Sequence, residues 1–119
     1  MHEASICQSI IETSVNIGTE RKLIRIDKIY LMIGNIHHIV DEVLVNYFDI
    51  QKNQYPLMAG AELIIENKPL IIKCSMCGEQ NELTEPIFIC PSCYNRNIEV
   101  VQGNELHIIK MEGEVNNEQ

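Results

Sequence analysis

The sequence predicts an α+β fold: two helices packed on a small β-sheet, with a cysteine-rich ribbon inserted between strands. Two observations predict it. The spacing of apolar residues along the 119-residue chain is helical at the start, then alternating, and then helical again before several short β-rich runs. In addition, four cysteines form two Cys-x-x-Cys pairs separated by twelve residues, Cys74/Cys77 and Cys90/Cys93. Paired turns of this kind commonly bring four sulfurs to one point.

The first half of the chain is expected to alternate between helix and strand. A helix is predicted over about residues 3 to 17, where apolar residues recur at helical spacing and Gly18 can end the helix. A half-buried strand is predicted over residues 24–33, where apolar and polar residues alternate. A second helix should begin at Asp41, which is well suited to cap its start, and end before Pro56.

The second half is expected to form strands around the cysteines. Residues 61–66 and 69–74 are β-rich runs, and the second leads directly into the first cysteine pair. After Cys93 the chain returns through residues 98–102, turns at Gly103 and Asn104, and finishes as a strand over residues 105–111. We expect the strands that lead into and out of the ribbon to belong to the main sheet or to border it.

The four cysteines are typical of a structural zinc site. Two Cys-x-x-Cys turns facing each other complete tetrahedral thiolate coordination and leave no open position for a substrate. Two disulfides would suit a secreted mini-protein, but the sequence shows neither a secretory signal pattern nor a run of eighteen apolar residues, which favours a reducing cytoplasm. Iron, as in a rubredoxin-like electron carrier, uses the same four thiolates, and the spacing does not exclude it.

These patterns suggest three segments. Residues 1–73 and 98–112 are predicted to form one α+β domain, and residues 74–97 a zinc-binding domain. The tail over residues 113–119 has little apolar character to anchor it and is expected to be frayed. The fifth cysteine, Cys7, falls on the apolar stripe of the first helix and is expected to be a buried core thiol.

The charge of the chain limits its partners. Nine Lys and Arg residues stand against seventeen Asp and Glu residues, which gives a formal net charge of −8. Binding to phosphates needs a basic surface, so a nucleic-acid role for the ribbon is disfavoured. An acidic surface suits a carrier of cations or a basic protein partner. No membrane partner is expected either, and we predict a cytoplasmic protein.

The first three residues, Met1-His2-Glu3, could chelate a metal without help from any other segment. The α-amine, the deprotonated amide nitrogen of His2 and its imidazole can occupy neighbouring corners of one square plane. Coordination of this kind by nitrogen favours Ni(II) or Cu(II) over zinc. Binding would release protons, so the affinity should fall as the pH drops. Taken alone, the same residues also fit an ordinary solvated terminus.

Five ordered motifs show that nearly the whole chain resembles the HypA/HybF family of hydrogenase nickel-insertion accessory proteins. They are Met1-His2-Glu3, Tyr30-Leu31-Met32-Ile33-Gly34, Gly60-Ala61-Glu62-Leu63-Ile64-Ile65, the two cysteine motifs Cys74-Ser75-Met76-Cys77-Gly78 and Cys90-Pro91-Ser92-Cys93, and Gly103-Asn104-Glu105-Leu106.

The resemblance implies a nickel metallochaperone with structural zinc that carries Ni²⁺ as cargo. It implies delivery to the large subunit of a [NiFe]-hydrogenase, in cooperation with a hydrogenase-maturation GTPase, and for some members a role alongside urease accessory proteins. The nickel ligands that it implies are the amine of Met1 and the His2 side chain, supported by the backbone of His2 and Glu3. Asp41 is our candidate for a contact that supports these ligands.

Three positions depart from the family pattern. Tyr94 stands where the family usually has glycine after the second cysteine pair, so the turn geometry there is in question. Residues 53–59 do not match the usual stretch before Gly60, and their role stays open. His37 and His38 replace the usual short turn; they could contact nickel, but adjacent loop residues generally point apart, which favours solvated side chains. His107 alternates with apolar residues and is predicted to lie on the surface of the last strand.

The sequence offers little support for an enzyme. It contains no Ser/His/Asp arrangement, no nucleotide-binding glycine loop and no zinc site with an open position. We therefore expect nickel to be cargo and any catalysis to lie with partners. The alternative is a non-catalytic zinc-ribbon adaptor that binds proteins through the ribbon and makes no use of Met1 and His2.

Overall fold

The structure is a computed structural model, which describes residues 3–85 and 87–115. Its fold is α+β, as predicted, with two helices and two three-stranded sheets. The helices are α1 (Glu3–Glu20) and α2 (Asp41–Gln51); the strands are β1 (Leu23–Gly34), β2 (Glu62–Lys68), β3 (Leu70–Cys74), β4 (Gln80–Leu83), β5 (Ile98–Gln102) and β6 (Leu106–Val115). Three short 3₁₀ turns lie between β1 and β2, at Asn35–His37, Lys52–Gln54 and Pro56–Met58.

The main sheet has the strand order β2-β1-β6. β1 runs parallel to β2 and antiparallel to β6, and α2 lies in the crossover between the two parallel strands. One face of the sheet and the apolar faces of both helices enclose the core. Its buried residues are Ile6, Cys7, Ile10 and Ile11 of α1, Ile26, Ile29, Leu31 and Ile33 of β1, Leu44 and Phe48 of α2, and Met58, Ala61 and Leu63.

The ribbon has a sheet of its own, with the order β4-β3-β5 and antiparallel pairing throughout. The strands around the cysteines therefore pair with each other and form a separate sheet. Of the two expected arrangements, membership of the main sheet is wrong, and the ribbon sheet borders the main sheet instead. The physical reason is that β3 buries Leu70, Ile72 and Cys74 on one face while β4 and β5 saturate both of its edges. The division into domains stays a prediction. The strands on either side of the cysteines, expected at residues 69–74 and 98–102, are Leu70–Cys74 and Ile98–Gln102.

Several element ends differ from the expectation. Helix α1 continues past Gly18 to Glu20, because Gly18 is a buried packing position against the Leu57 side chain rather than a helix end. The backbone at the start of the predicted frayed tail is a strand instead, since β6 extends through Val115 and pairs with β1. Residues 116–119 lie outside the described residues.

The two sheets meet where Gly34, at the end of β1, crosses Gly103, between β5 and β6. The Gly34 amide donates to the Glu105 carbonyl oxygen at 2.7 Å, and the Ile36 amide donates to the Gly103 carbonyl oxygen at 3.0 Å. A methyl group added to Gly34 would overlap the carbonyl group of Gly103, and one added to Gly103 would overlap the backbone of Leu70. Gly103 also has a φ of 110°, which side chains rarely adopt. Both glycines are therefore required for this close crossing.

Within the part of the chain that the structure describes, no helix combines the length and the apolar character needed to cross a membrane.

The close crossing makes Gly34 a sensitive position. We expect Gly34→Ala to lower the free energy of unfolding by about 2 kcal/mol or more, because the added methyl group forces two backbone segments apart. Urea unfolding followed by circular dichroism measures this. Gly60→Ala is the matched control, since a methyl group there has no atom within 4 Å, and it should change stability by less than about 1 kcal/mol. Equal effects of the two substitutions would contradict the crossing.

Candidate functional site

Two turns of the same geometry, at residues 74–78 and 90–94, present the four cysteines of the ribbon. We call these two turns the knuckles. In the first, the Gly78 amide donates to the Cys74 carbonyl oxygen at 2.9 Å; in the second, the Tyr94 amide donates to the Cys90 carbonyl oxygen at 2.8 Å. Each knuckle is closed by a second bond, from the Cys74 amide to the carbonyl of Glu79 and from the Cys90 amide to that of Asn95. The repeated hydrogen bonds give the two knuckles the same backbone geometry, so Cys74 corresponds to Cys90 and Cys77 to Cys93.

The four sulfurs lie together as a metal site requires. All of them are within 4.8 Å of one another, with Cys74 Sγ at 3.6 Å from Cys93 Sγ and Cys77 Sγ at 3.6 Å from Cys90 Sγ. Sulfurs bound tetrahedrally at about 2.3 Å from one ion would stand roughly 3.8 Å apart, so the spacing fits a tetrathiolate ion such as zinc. Iron would fit the same spacing. Every cysteine that the structure describes is free of disulfide bonds, so two disulfides are not formed here.

The local backbone prepares some of these sulfurs to be thiolates. The Cys77 amide donates to Cys74 Sγ at 3.5 Å and lowers the pKa of Cys74 to about 7, and the Cys93 amide lowers the pKa of Cys90 in the same way. The backbone amide of Glu79 also acts to lower the pKa of Cys77, but burial and the neighbouring sulfurs raise it to about 12. Four sulfurs this close resist holding four negative charges, and a divalent cation removes that conflict.

The second knuckle reproduces the first despite its different sequence. Gly78 has a φ of 76°, and Tyr94, at the equivalent position, has a φ of 61°. The left-handed conformation suits glycine but costs other residues about 1–2 kcal/mol. Tyr94 is 78% exposed, so packing of its ring returns little of that cost. The second knuckle therefore has the same backbone geometry as the first, although Tyr94 adopts it with backbone strain.

Two serines near the knuckles make contacts that local sequence patterns do not predict. Ser92 Oγ donates to the carboxylate of Glu79, which joins the second knuckle to the segment after the first. Ser75 Oγ donates to the carbonyl oxygen of Asn97 at 2.7 Å, joining the first knuckle to the segment before β5. The sequence carries no signal for either pairing, because both partners come together only when the two knuckles face each other.

Only Glu3 and Asp41 of the predicted nickel site lie within the described residues. Met1 and His2 lie outside the described residues. Glu3 is the first described residue of α1, and its Oε2 accepts a hydrogen bond from the Val40 amide at 3.2 Å. This contact places the residue bonded to His2 beside the start of α2, 37 positions along the chain.

Asp41 lies beside this contact but does not cap the helix as expected. It is the first residue of α2, Val40 is the cap residue, and no side chain makes the cap hydrogen bond. Asp41 Oδ2 instead accepts a hydrogen bond from Asn67 Nδ2 of β2. Its other oxygen, Oδ1, is buried and receives no hydrogen bond from any residue that the structure describes. A buried carboxylate oxygen without a donor would be stabilised by a nearby cation.

The other histidines that the structure describes, and Cys7, belong neither to the four-cysteine site nor to the contacts around Glu3 and Asp41. His37 Nε2 donates to the Asn104 carbonyl oxygen at 3.0 Å and so belongs to the crossing between the sheets, whereas His38 is exposed with a φ of 52°. His107 is exposed on β6, as predicted. Cys7 is fully buried in the core, as predicted, and burial, together with the Asp49 carboxylate, raises its pKa to about 11. Cys7 is therefore an inert thiol near neutral pH.

The chain is similar to known proteins over nearly its whole length, both in sequence and in fold. Residues 1–113 match the family described as hydrogenase/urease nickel incorporation, metallochaperone, hypA. The hydrogenase maturation factor HypA of Campylobacter jejuni is 32% identical over 111 residues, which cover 93% of this chain and 97% of that protein. The protein of the same name from Chloroflexus aurantiacus is 36% identical over 113 residues, covering 94% and 98%.

A solved structure shows the same fold. The solution structure of the Ni metallochaperone HypA from Helicobacter pylori superimposes with a TM-score of 0.71, covers 98% of this chain and 100% of that one, and is 20% identical.

Thiol counting tests the tetrathiolate site. In the native, metal-loaded protein we expect no thiol to react rapidly with Ellman's reagent, four to react after a strong chelator is added, and a fifth, Cys7, only after denaturation. Elemental analysis should find one zinc per chain. Cys74→Ser should lose the metal, whereas the matched control Cys7→Ser should keep it. A visible iron–thiolate absorption band in the purified protein would contradict zinc, and full metal retention by Cys74→Ser would contradict the four-sulfur site.

The strained backbone of Tyr94 gives a second test. We expect Tyr94→Gly to slow the loss of zinc to a competing chelator several-fold, because glycine adopts the required φ without the steric cost. Gly78→Ala, at the equivalent position of the first knuckle, should have the opposite effect and speed the loss. If both substitutions speed the loss, the Tyr94 side chain contributes more than its exposure indicates.

Proposed function

We propose a function on the basis of the family of this chain and of the geometry around Glu3 and around the four cysteines. The chain belongs to the HypA family of nickel-incorporation metallochaperones for hydrogenase and urease. The region around Glu3 suits Ni²⁺, and the four cysteines suit Zn²⁺. In this proposal the chain binds one Ni²⁺ at Met1, His2 and Glu3 and passes it to the large subunit of a [NiFe]-hydrogenase. A hydrogenase-maturation GTPase takes part in the transfer, and urease accessory proteins are a second destination. Zn²⁺ stays in the ribbon as a structural ion.

The surroundings of Glu3 carry this proposal. Its carboxylate accepts the Val40 amide, and the adjacent Asp41 holds a buried oxygen to which no described residue donates. Asn67 fixes the orientation of the Asp41 carboxylate from β2. The carboxylate of Glu3, the residue that follows His2, and that of Asp41 would stabilise a divalent cation bound there, and they would do so without supplying the main ligands. We therefore keep Asp41 as a supporting contact.

The ribbon plays the opposite role in this proposal. Zinc held by Cys74, Cys77, Cys90 and Cys93 has no open coordination position and would stabilise the fold of the ribbon. Nickel bound by a chain terminus has ligands that can leave one at a time, which suits release to a tighter acceptor. We infer a carrier rather than a catalyst, acting in the cytoplasm, where apo-enzymes are assembled.

The surface of the ribbon supports a second candidate function, that of a non-catalytic adaptor. Met76 and Tyr94, one from each knuckle, are 66% and 78% exposed, and Ile87 lies exposed between the knuckles in sequence. Exposed apolar side chains around a rigid metal site suit protein binding. In this alternative the zinc ribbon binds a partner and Met1 and His2 bind nothing.

Nickel titration separates the two functions. Isothermal titration of the protein with its native N-terminus should show one Ni²⁺ per chain, and binding should be lost when His2→Ala removes the imidazole or one added residue displaces the α-amine. His38→Ala is the matched control, because it removes an exposed histidine close to Asp41 and should leave binding intact. Binding should weaken as the pH falls, since protons compete for the amine and the imidazole.

The supporting carboxylate is tested in the same titration. Asp41→Asn should weaken nickel binding about tenfold without changing its stoichiometry, because it removes the charge but keeps a side chain for Asn67 to contact. Asp49→Asn, on the same helix, should have no such effect. A native chain that binds no nickel, or a His2→Ala variant that binds it equally well, would support the adaptor instead.

A further inference from the structure

Helix α2 has an apolar stripe on its solvent side in addition to the face that it buries. The buried face consists of Leu44 and Phe48, which belong to the core. Four apolar residues lie on the solvent side: Val40 at the N-terminal cap, and Val43, Tyr47 and Ile50 of the helix. Their exposed fractions are 54%, 37%, 41% and 71%, respectively. We call these four residues the α2 stripe.

The spacing of the α2 stripe makes it continuous. Its members stand three, four and three positions apart, which places them on one line along a helix of 3.6 residues per turn. A surface helix needs one apolar face to pack on its sheet, and α2 already has one. A second continuous apolar line that faces water stabilises nothing in the isolated chain, and such surfaces mark contacts with other proteins.

The charges beside the α2 stripe are acidic. Glu42 and Asp49 lie in a polar row that follows the stripe at helical spacing, together with Asn46 and Asn53, and all four are exposed. Helix α2 itself contains no basic residue. Lys52, just after it, has a side chain that is only 17% exposed; its Nζ donates to the Ala61 carbonyl oxygen at 2.8 Å and pairs with the Asp49 carboxylate at 3.2 Å. Lys52 therefore offsets the charge of Asp49, and Glu42 remains as the acidic group beside the stripe.

The opposite border of the α2 stripe is also uncharged or acidic. Gln8 and Glu12 of α1 face Gln51 and Gln54 across a cleft of about 300 Å³. Glu12 therefore adds one acidic group on the α1 side, opposite Glu42 on the other side of the stripe. This arrangement complements an apolar helix flanked by Lys and Arg.

The α2 stripe begins at the proposed nickel site. The amide of Val40, its first member, donates to the Glu3 carboxylate, and Asp41 is the next residue along the chain. Whatever lies on the stripe therefore lies beside the residue bonded to His2.

We propose that the α2 stripe is the docking surface for an amphipathic helix of a partner protein, with apolar residues at matching spacing and Lys or Arg on its flanks. Its purpose, which is to bring an acceptor next to the bound nickel, rests on the function proposed above; the docking itself does not. A second copy of this chain fits less well, because two α2 stripes packed together would bring acidic rows of both copies close to each other.

Two designed peptides test the docking directly. Both are 18-residue amidated helices with Leu at positions that repeat every three and four residues; one carries Lys on both flanks and the other Glu at the same positions. Fluorescence anisotropy with the native protein should show binding of the Lys peptide, weakened by added salt, and at least tenfold weaker binding of the Glu peptide.

Matched variants locate the binding. Tyr47→Ser with Ile50→Ser should weaken binding of the Lys peptide at least tenfold, whereas Ile24→Ser with Ile109→Ser, which removes exposed apolar groups of β1 and β6, should not. Glu42→Lys with Asp49→Lys should reverse the preference toward the Glu peptide. Glu82→Lys with Glu99→Lys makes the same change in net charge on the ribbon and should leave the preference as it was.

Other results would overturn the proposal. They are failure of the native protein to bind the Lys peptide, equal binding of both peptides, or binding that the stripe variant retains. Sedimentation showing a dimer that Tyr47→Ser with Ile50→Ser dissociates would assign the stripe to a second copy. Nickel titration of the stripe variant should match that of the native chain. If the native chain binds no nickel, the proposed carrier function is contradicted, whereas the result of the peptide-binding experiment still stands.

Discussion

The crossing of Gly34 and Gly103 is the constraint on which the arrangement of both proposed metal sites depends. It brings the end of the central strand of one sheet against the segment that leaves the other, at a distance that tolerates no side chain on Gly34. The chain that follows Gly34 turns once, is held to the crossing by the His37 side chain, and reaches Asp41 within a few residues. The ribbon is therefore attached next to the segment that supports Glu3, and the positions of the two ends are set together.

Within that frame the two ends differ in how they can hold an ion. The cysteines are presented by two equivalent turns whose backbone amides already favour thiolate at Cys74 and Cys90, so the ribbon is preorganised for a resident ion. At the other end, the described groups are carboxylates of Glu3 and Asp41, which are held by an amide and by Asn67. Carboxylates alone bind a nickel ion weakly compared with nitrogen ligands, and in the proposed function they therefore have a supporting role.

Local patterns predicted what depends on local geometry. The cysteine spacing predicted that four sulfurs would meet, and the apolar periodicity predicted both helices and the burial of Cys7. The predictions were wrong where the structure depends on contacts between residues that are distant in the sequence. Gly18 was expected to end α1, yet it lies inside the helix, where Leu57 packs against it. The strands around the ribbon border the main sheet, which was one of the two expected arrangements, but they pair only with each other. Nothing local in the sequence pairs Asp41 with Asn67, so the orientation of that carboxylate could not be predicted.

A docking surface beside the terminus changes what the nickel affinity must be. A carrier that released its ion into solution would have to bind loosely enough for free diffusion and tightly enough to collect scarce nickel. When a partner lies along Val40 and Val43, the acceptor ligands face the donor at an effective concentration on the order of millimolar. In the proposed function, transfer would then proceed by exchange of one ligand at a time between neighbouring groups, and the nickel affinity of the terminus would have to suit only the capture of the ion. The acidic borders of the α2 stripe select the partner, and the terminus does not have to.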